Sequence, residues 1–357
     1  MKKRSLLVSL LLVALLIPTM LLGGCGKEDA PLRFSAYSLD YFDTATTVTG
    51  YAKDQAEFDR VSGEILAELA EYHRLFTIYH RFDGMENLCT VNQLTDGVHR
   101  TVTVDRRIID LLLYAKEVYQ KTGGTVNIAM GSVLSIWHDY RTRGLNDPAS
   151  AQLPPTHLLE EAAKHTSIED LVIDEENQTV YLADPHMRLD VGAIAKGYAV
   201  EMVARGLEAI GITGYVLNVG GNVRTVGTKG DGNPWVAGIE NPEEDESLPY
   251  LTYLSLTGES VVTSGSYQRY YLVGGVSYHH IIDPKTLMPA QGFRSVSVIC
   301  RDSAAGDALS TALFCLSREE GLAVLRAFGN AEAIWVLPDG TQLRSDGFSA
   351  YETTLDG

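Results

Sequence analysis

Asp190-Val191-Gly192-Ala193-Ile194-Ala195-Lys196-Gly197-Tyr198-Ala199-Val200 is the stretch on which the reading of this chain turns. A short apolar–polar alternation precedes it (Val180-Tyr181-Leu182, then Met187-Arg188-Leu189), and an amphipathic segment from Tyr198 to Ile210 follows. That order predicts a strand, a glycine-rich turn and a helix start. Small residues at a helix N-terminus let an anion reach the backbone N–H groups. Lys196 adds a cation, and Asp190 is an acceptor for a sugar or a base. The spacing matches neither GxGxxG nor GxxxxGK[ST], which excludes those two nucleotide-binding loops. By itself the stretch is equally compatible with a tight packed turn.

Beyond it, short apolar runs separated by glycine turns predict strands at Tyr215–Val219, Val223–Thr228, Trp235–Glu240, Tyr250–Leu256, Val261–Thr263, Tyr270–Val273, Ser277–Ile282 and Val296–Cys300. Helices are predicted at Ala304–Leu316 and Glu319–Phe328, then a strand at Ala333–Leu337 with a Pro338-Asp339-Gly340 turn. Upstream, Tyr37–Tyr51 reads as one strand containing Phe42-Asp43-Thr44. Asp54–Tyr79 and Ile108–Gln120 read as amphipathic helices, Val126–Trp137 as a turn into a helix, and Leu171–Ala183 as a hairpin. Helices dominate the first half and strands the second, so the expected class is α+β rather than a regular βαβ array.

The first residues have a different character. Lys2-Lys3-Arg4, an apolar run from Ser5 to Leu22, and Leu22-Gly23-Gly24-Cys25 make a secretory leader. Cys after two glycines looks like a bacterial lipobox, which places a cut before Cys25 and lipid on its thiol. The competing expectation is an uncleaved transmembrane anchor. In both readings the folded part is extracytoplasmic and tethered to the cell membrane. The chain has 357 residues and a formal net charge of −17. A field of that sign disfavours nucleic acid, and it leaves a polyanionic ligand dependent on a metal or local cations. Cys89, Cys300 and Cys315 remain after Cys25, an odd number that argues against a disulfide framework.

Four further segments cluster polar residues. Asn218-Val219-Gly220-Gly221-Asn222 permits close backbone approach to a ligand, or is a simple hairpin turn. Thr263-Ser264-Gly265-Ser266-Tyr267-Gln268-Arg269 suits a phosphate or ribose, and equally an ordinary polar loop. In Tyr278-His279-His280-Ile281-Ile282-Asp283-Pro284 the adjacent histidines point to opposite faces of a strand. Only one of them can face a given site. His280, with Asp283 to orient it, is the general-base candidate. Asp307 and Thr311 stand four apart on a helix, where a carboxylate and a hydroxyl can begin a site for a hard cation such as Mg²⁺, although taken alone the Asp reads better as a residue that favours the helix dipole near its N-terminus.

Taken together, these segments resemble the ApbE family of FAD:protein FMN transferases. The likeness rests on Asp190–Ala199, Asn218–Gly221, Ser264–Tyr270, His280–Pro284 and Asp307–Ala312, in that order, and spans roughly Tyr41 to Leu337. It implies an ApbE-like fold of two intimate α/β lobes with FAD bound between them. It implies FAD contacts at Phe42, Tyr79, Gly124, Thr125, Val126, Asp190, Lys196 and Ile281. The implied Mg²⁺ ligands are the Ala193 carbonyl, Asp307 and Thr311, and His280 matches the histidine implicated in catalysis. One loop departs from the family: Val126-Asn127-Ile128-Ala129 stands where a carboxylate and a hydroxyl are usual.

The resulting expectation is a leader over 1–24, a lipid-anchored tether over 25–36, a flavin transferase domain over 37–345 and a tail over 346–357. The implied reaction is Mg²⁺-dependent transfer of FMN from FAD to a Thr or Ser hydroxyl of an extracytoplasmic redox subunit, with AMP released. An FAD pyrophosphatase giving FMN and AMP, and a lipid-anchored flavin-binding protein without turnover, are the alternatives.

Overall fold

The computed structural model describes residues 30–93, 101–243 and 247–355. The leader and Cys25 lie outside the described residues. Helices are α1 (Gln55–Phe76), α2 (Leu88–Asn92), α3 (Arg106–Lys121), α4 (Gly131–Asn146), α5 (Thr156–Ala163), α6 (Ala195–Ala209), α7 (Ser303–Cys315) and α8 (Arg318–Phe328). None of the described helices is long and apolar enough to cross a membrane.

An antiparallel sheet of eight strands forms the frame. Its spatial order is Leu32–Tyr41, Thr44–Ala52, Tyr215–Val219, Asn222–Val226, Ser260–Gly265, Ser295–Cys300, Ala331–Val336 and Gln342–Arg344. Ser295–Cys300 is buried along its whole length, because both faces of the sheet are covered. The period-2 alternation of a strand sorts its side chains. Val296, Val298 and Cys300 cluster with Leu309, Leu313 and Phe314 of α7. Ile299 joins Val261, Ile334 and Phe348 against Trp235, Leu254 and Leu256 of a three-stranded sheet on the other side. The largest cluster joins α1, α3 and α6 to Val48, Leu217 and Val219 of the main sheet. Helices and strands thus form segregated layers, an α+β fold.

Several boundaries differ from the sequence reading, each for a local reason. The single strand expected over Tyr37–Tyr51 is a hairpin: Leu32–Tyr41 pairs with Thr44–Ala52 through Phe42 and Asp43, both at positive φ (53° and 52°). Two consecutive left-handed residues make the tight turn that matches strand twist. The pairing begins at Leu32, inside the segment expected as a tether, and Glu352–Thr353 pairs with Tyr250–Leu256 inside the expected tail. Phe348 there is fully buried, so apolar burial extends the folded body past residue 345. Of the alternation read before the Asp190 stretch, Val180–Leu182 lies in the strand Thr179–Leu182, whereas Met187–Leu189 makes only an isolated bridge, Met130 to Arg188. Cys89, Cys300 and Cys315 are free thiols.

A fourth cluster sets α4 and α5 against the hairpin Tyr270–Val273 and Val276–His279. Gly144 lets α4 approach that hairpin, since a Cβ there would stand 2.6 Å from the Tyr271 ring. This contact, the Asp190 turn and the ends of the main sheet border one cavity.

Candidate active site

The cavity has a volume of about 480 Å³. Of the residues singled out in the sequence, Tyr79, Thr125, Val126, Asp190, Ala193, Lys196, His280, Ile281, Asp307 and Thr311 line it. Phe42, Gly124 and Asp283 do not.

The Asp190 turn forms one wall. The Asp190 N–H donates to the Ile128 carbonyl at 2.7 Å, and Asp190 Oδ1 accepts from the Gly192 N–H at 2.8 Å. The first bond fixes Asp190 beside the loop that carries Thr125 and Val126. Burial raises the Asp190 pKa. Below it, Asn92 clamps the chain: its Nδ2 donates to the Leu189 carbonyl at 2.8 Å and its Oδ1 accepts the Leu189 N–H at 2.7 Å. The side-chain amide therefore does for Leu189 what a neighbouring strand would do. The sequence reading missed this clamp because α2 is a single short helix, although Asn87 and Thr90 form its capping box.

At the start of α6 the Gly197 N–H, one of the first-turn donors that a helix leaves without an internal acceptor, donates to Asp307 Oδ2 at 2.8 Å. A Cβ at Gly197 would lie 2.3 Å from the Ser303 carbonyl oxygen and 2.5 Å from the Asp307 Cβ, so glycine is what lets α6 and α7 meet here. Lys196 Nζ lies 3.3 and 3.4 Å from the two Asp307 carboxylate oxygens and 3.4 Å from the Gly192 carbonyl. A buried network braces the same junction. Glu201 accepts from Arg224 at 3.0 Å, from Arg205 at 2.8 Å and from the Ser303 N–H at 2.9 Å.

The two histidines divide as strand alternation requires. His279 Nε2 donates to the Ala290 carbonyl at 2.7 Å, its Nδ1 accepts the Ile281 N–H at 3.2 Å, and its ring packs edge-on to Phe314. Both ring nitrogens are thereby used in structure. His280 lines the cavity, and its Nδ1 is buried without a hydrogen-bond partner. Burial, then the charges of Arg269 and Arg141, lowers its pKa to about 3. It is a neutral imidazole at physiological pH.

Asp283 does not orient His280. Its carboxylate accepts the Lys285 N–H at 2.9 Å and the Thr286 hydroxyl at 3.3 Å, and so closes the turn after the strand. An Asp followed by Pro is well suited to that turn, and the local bonds take its oxygens. Phe42 is likewise turned away: its N–H donates to His73 Nδ1 at 3.0 Å and its ring meets the His73 ring edge-on. Its neighbours Asp43 and Thr44 line the cavity instead. Gly124 packs near Tyr119, with only the following residues at the cavity.

Gly220 has φ 58°, and a Cβ there would stand 2.4 Å from the Thr44 hydroxyl, so this turn needs glycine on both counts. Asn127, at the departing loop, is spent on structure. Its Oδ1 accepts the Ala129 N–H at 2.9 Å and its Nδ2 donates to the Thr166 carbonyl at 2.9 Å.

Among the described residues no three His, Cys, Asp or Glu side chains gather as a metal cluster. The oxygens near Lys196 are of other kinds, the Asp307 carboxylate and the Gly192 carbonyl, and Thr311 and Ala193 line the same cavity. Such a set suits a hard cation that completes its shell with water and ligand oxygens, and does not suit zinc.

Arg141 and His138 also line the cavity and were missed in the sequence. The helix was expected to end at Trp137, at the onset of a polar run, whereas α4 continues to Asn146. The signal was present in the spacing of Trp137, Arg141 and Gly144, which share one helical face.

A family model described as the ApbE family matches residues 42–335. An FAD:protein FMN transferase of Klebsiella pneumoniae (strain 342) is 34% identical over 272 residues, covering 74% of this chain and 81% of its own length. An FAD:protein FMN transferase of Treponema pallidum (strain Nichols) is 31% identical over 348 residues, covering 94% and 92%. The crystal structure of an ApbE protein from Thermotoga maritima has a TM-score of 0.77 at 28% identity, over 90% of this chain and 100% of that one.

Proposed function

The chain belongs to the ApbE family, and from that premise we propose that this flavin transferase moves the FMN half of FAD onto a Thr or Ser hydroxyl of an extracytoplasmic redox protein, releasing AMP. The observation that carries the reading is His280: a neutral imidazole at the cavity wall whose Nδ1 meets no protein partner. A hydroxyl is a poor nucleophile, and a positioned base contributes roughly 10²–10⁴-fold to such a step.

FAD lies in the cavity, with its contacts on Tyr79, Thr125, Val126, Asp190, Lys196 and Ile281. The acceptor oxygen attacks the phosphorus on the flavin side while His280 takes its proton. The bond from that phosphorus to the bridging oxygen breaks, and the bridging oxygen leaves with its electron pair as part of AMP. One phosphoester forms and one phosphoanhydride bond is lost, with no oxidant or reductant involved.

Asp307, Thr311 and the Ala193 carbonyl would hold Mg²⁺, a reading supported by all three residues lining the one cavity. When bound, the ion supplies charge neutralisation at the diphosphate and polarises the phosphorus attacked. Lys196 adds a second positive charge beside Asp307. In a chain of net charge −17 these local cations are what make a polyanionic substrate tolerable.

In the same reading, Lys2-Lys3-Arg4, the apolar run and Gly23-Gly24-Cys25 support a lipid anchor on Cys25, which holds the enzyme at the extracytoplasmic face of the cell membrane.

The test compares binding with transfer in one variant. His280→Ala in the full-length chain should bind FAD, followed by flavin fluorescence, yet leave a flavin-accepting domain without covalent flavin. Full transfer by that variant would place the base elsewhere.

A further inference from the structure

A cationic cluster on the α4 side of the cavity has no role in the reaction as described so far. Arg141 lines the cavity, as does Arg269 at the root of the hairpin that leads to His280. The Arg141 guanidinium has a 3.2 Å contact with His138 Nδ1, and no carboxylate answers it among the ion pairs of the described residues. Arg269 reaches the Asp43 carbonyl at 3.3 Å and is otherwise exposed at the cavity mouth.

The fold brings the two side chains together deliberately. Gly144 seats α4 against Tyr271, and Arg141 lies one turn earlier on the same face. Arg269 lies in the bend two residues before Tyr271, and its charge acts on Arg141. Trp137, one turn before Arg141, donates its Nε1–H to the Leu287 carbonyl at 2.9 Å and ties α4 to the turn after His280. Arg141 is thus fixed between the two chain segments that flank the imidazole. Half-buried and in ion-pair contact with no carboxylate of the described residues, it is also costly: burial and the charge of Arg269 lower its pKa, only partly opposed by Tyr79 and Asp190. An arginine held at such a cost needs an anionic ligand, and its planar fork fits phosphate oxygens in a bidentate way.

We propose that Arg141, aided by Arg269, binds the flavin-side phosphate of the substrate, the group that is transferred. This rests on the flavin-transfer reading above. Both walls then serve the diphosphate: the cation that Asp307 would hold neutralises it, and the arginine pair holds the phosphorus under attack next to His280.

Riboflavin, FMN and FAD test it, because the first lacks the phosphate and is otherwise the same ring and chain. Each is titrated by flavin fluorescence into the full-length wild type and into Arg141→Gln, Arg141→Lys and Arg269→Gln. Arg141→Gln should weaken FMN by about 10- to 100-fold, the loss of a charge-assisted bond, while riboflavin stays within about twofold. Arg141→Lys should restore part of the FMN affinity, and Arg269→Gln should show the same pattern at smaller amplitude. Equal losses for riboflavin and FMN would make Arg141 a wall of the ring subsite and overturn the inference. Unchanged FMN affinity would overturn it as well. If the wild type binds FAD and flavinylates an acceptor, either result removes this inference alone. A wild type that binds no flavin removes it together with the function proposed above. Thermal midpoints matching the wild type establish that each variant is folded.

Discussion

The backbone N–H of Gly197 on α6 donates to the carboxylate of Asp307 on α7 at 2.8 Å. One bond therefore joins the glycine-rich turn to the late helix, two segments separated by about a third of the chain. It orients the carboxylate and joins the two helices where Gly197 lets them approach closely.

Replacing that glycine tests the junction. In Gly197→Ala the new methyl meets backbone and a helix Cβ rather than a flexible side-chain end. Overpacking of this kind costs about 1–3 kcal/mol. The thermal midpoint should fall by several degrees, and flavin transfer should fall at least tenfold at saturating FAD. A variant with wild-type stability and turnover would show that the helices need not meet so closely.

Asn92→Leu tests the clamp below Asp190. It leaves the Leu189 N–H and C=O buried without partners, at a cost of about 2–4 kcal/mol. Because Leu189 precedes Asp190, the KM for FAD should rise more than kcat falls. An unchanged melting midpoint together with an unchanged KM would show that the clamp positions nothing.

Asp283 and His280 should part company on substitution. Asp283 closes a turn through Lys285 and Thr286, so Asp283→Ala should cost about 1 kcal/mol of stability. Its transfer rate should stay within about threefold of wild type, against a loss of about 10²-fold or more in His280→Ala. Equal losses in the two variants would restore Asp283 as the partner that orients the base.

The pH dependence follows from the surroundings of His280. Burial first, then Arg269, Arg141 and the other nearby cations, holds its pKa at about 3 in the free enzyme. A lowered pKa means that the imidazole stays neutral as the pH falls through the ordinary histidine range. The acid limb of kcat/KM, which reports the free enzyme, should therefore lie below about pH 5. Bound phosphates answer the cations, so the acid limb of kcat should lie higher. An acid limb of kcat/KM at about 6.5, the ordinary imidazole value, would contradict this electrostatic picture.

Particular residues show what the sequence reveals and what it conceals. The strands and helices of the second half are legible because their apolar runs are bounded by Gly, Pro and Asp, as at Pro338-Asp339-Gly340. The split of His279 from His280 is legible because alternation along a strand is a property of the backbone. The hairpin at Phe42-Asp43 is not, since neither residue is a glycine and both still adopt positive φ. Arg141 is hidden because a helix running into polar residues looks finished from its composition. The role of Asp283 is misread because spacing alone cannot tell a carboxylate that serves a side chain from one consumed by its own turn. Asn92 and the Gly197–Asp307 bond are long-range contacts, and no local pattern announces them.

The most direct test is the intact mass of a flavin-accepting domain after incubation with the full-length chain, FAD and Mg²⁺. Flavin transfer predicts that the acceptor gains the mass of one FMN less water, that AMP appears in equal amount, and that EDTA or Asp307→Ala abolishes both. AMP and free FMN with an unmodified acceptor would instead make the chain a pyrophosphatase, and FAD recovered intact would make it a binding protein; either result contradicts the account.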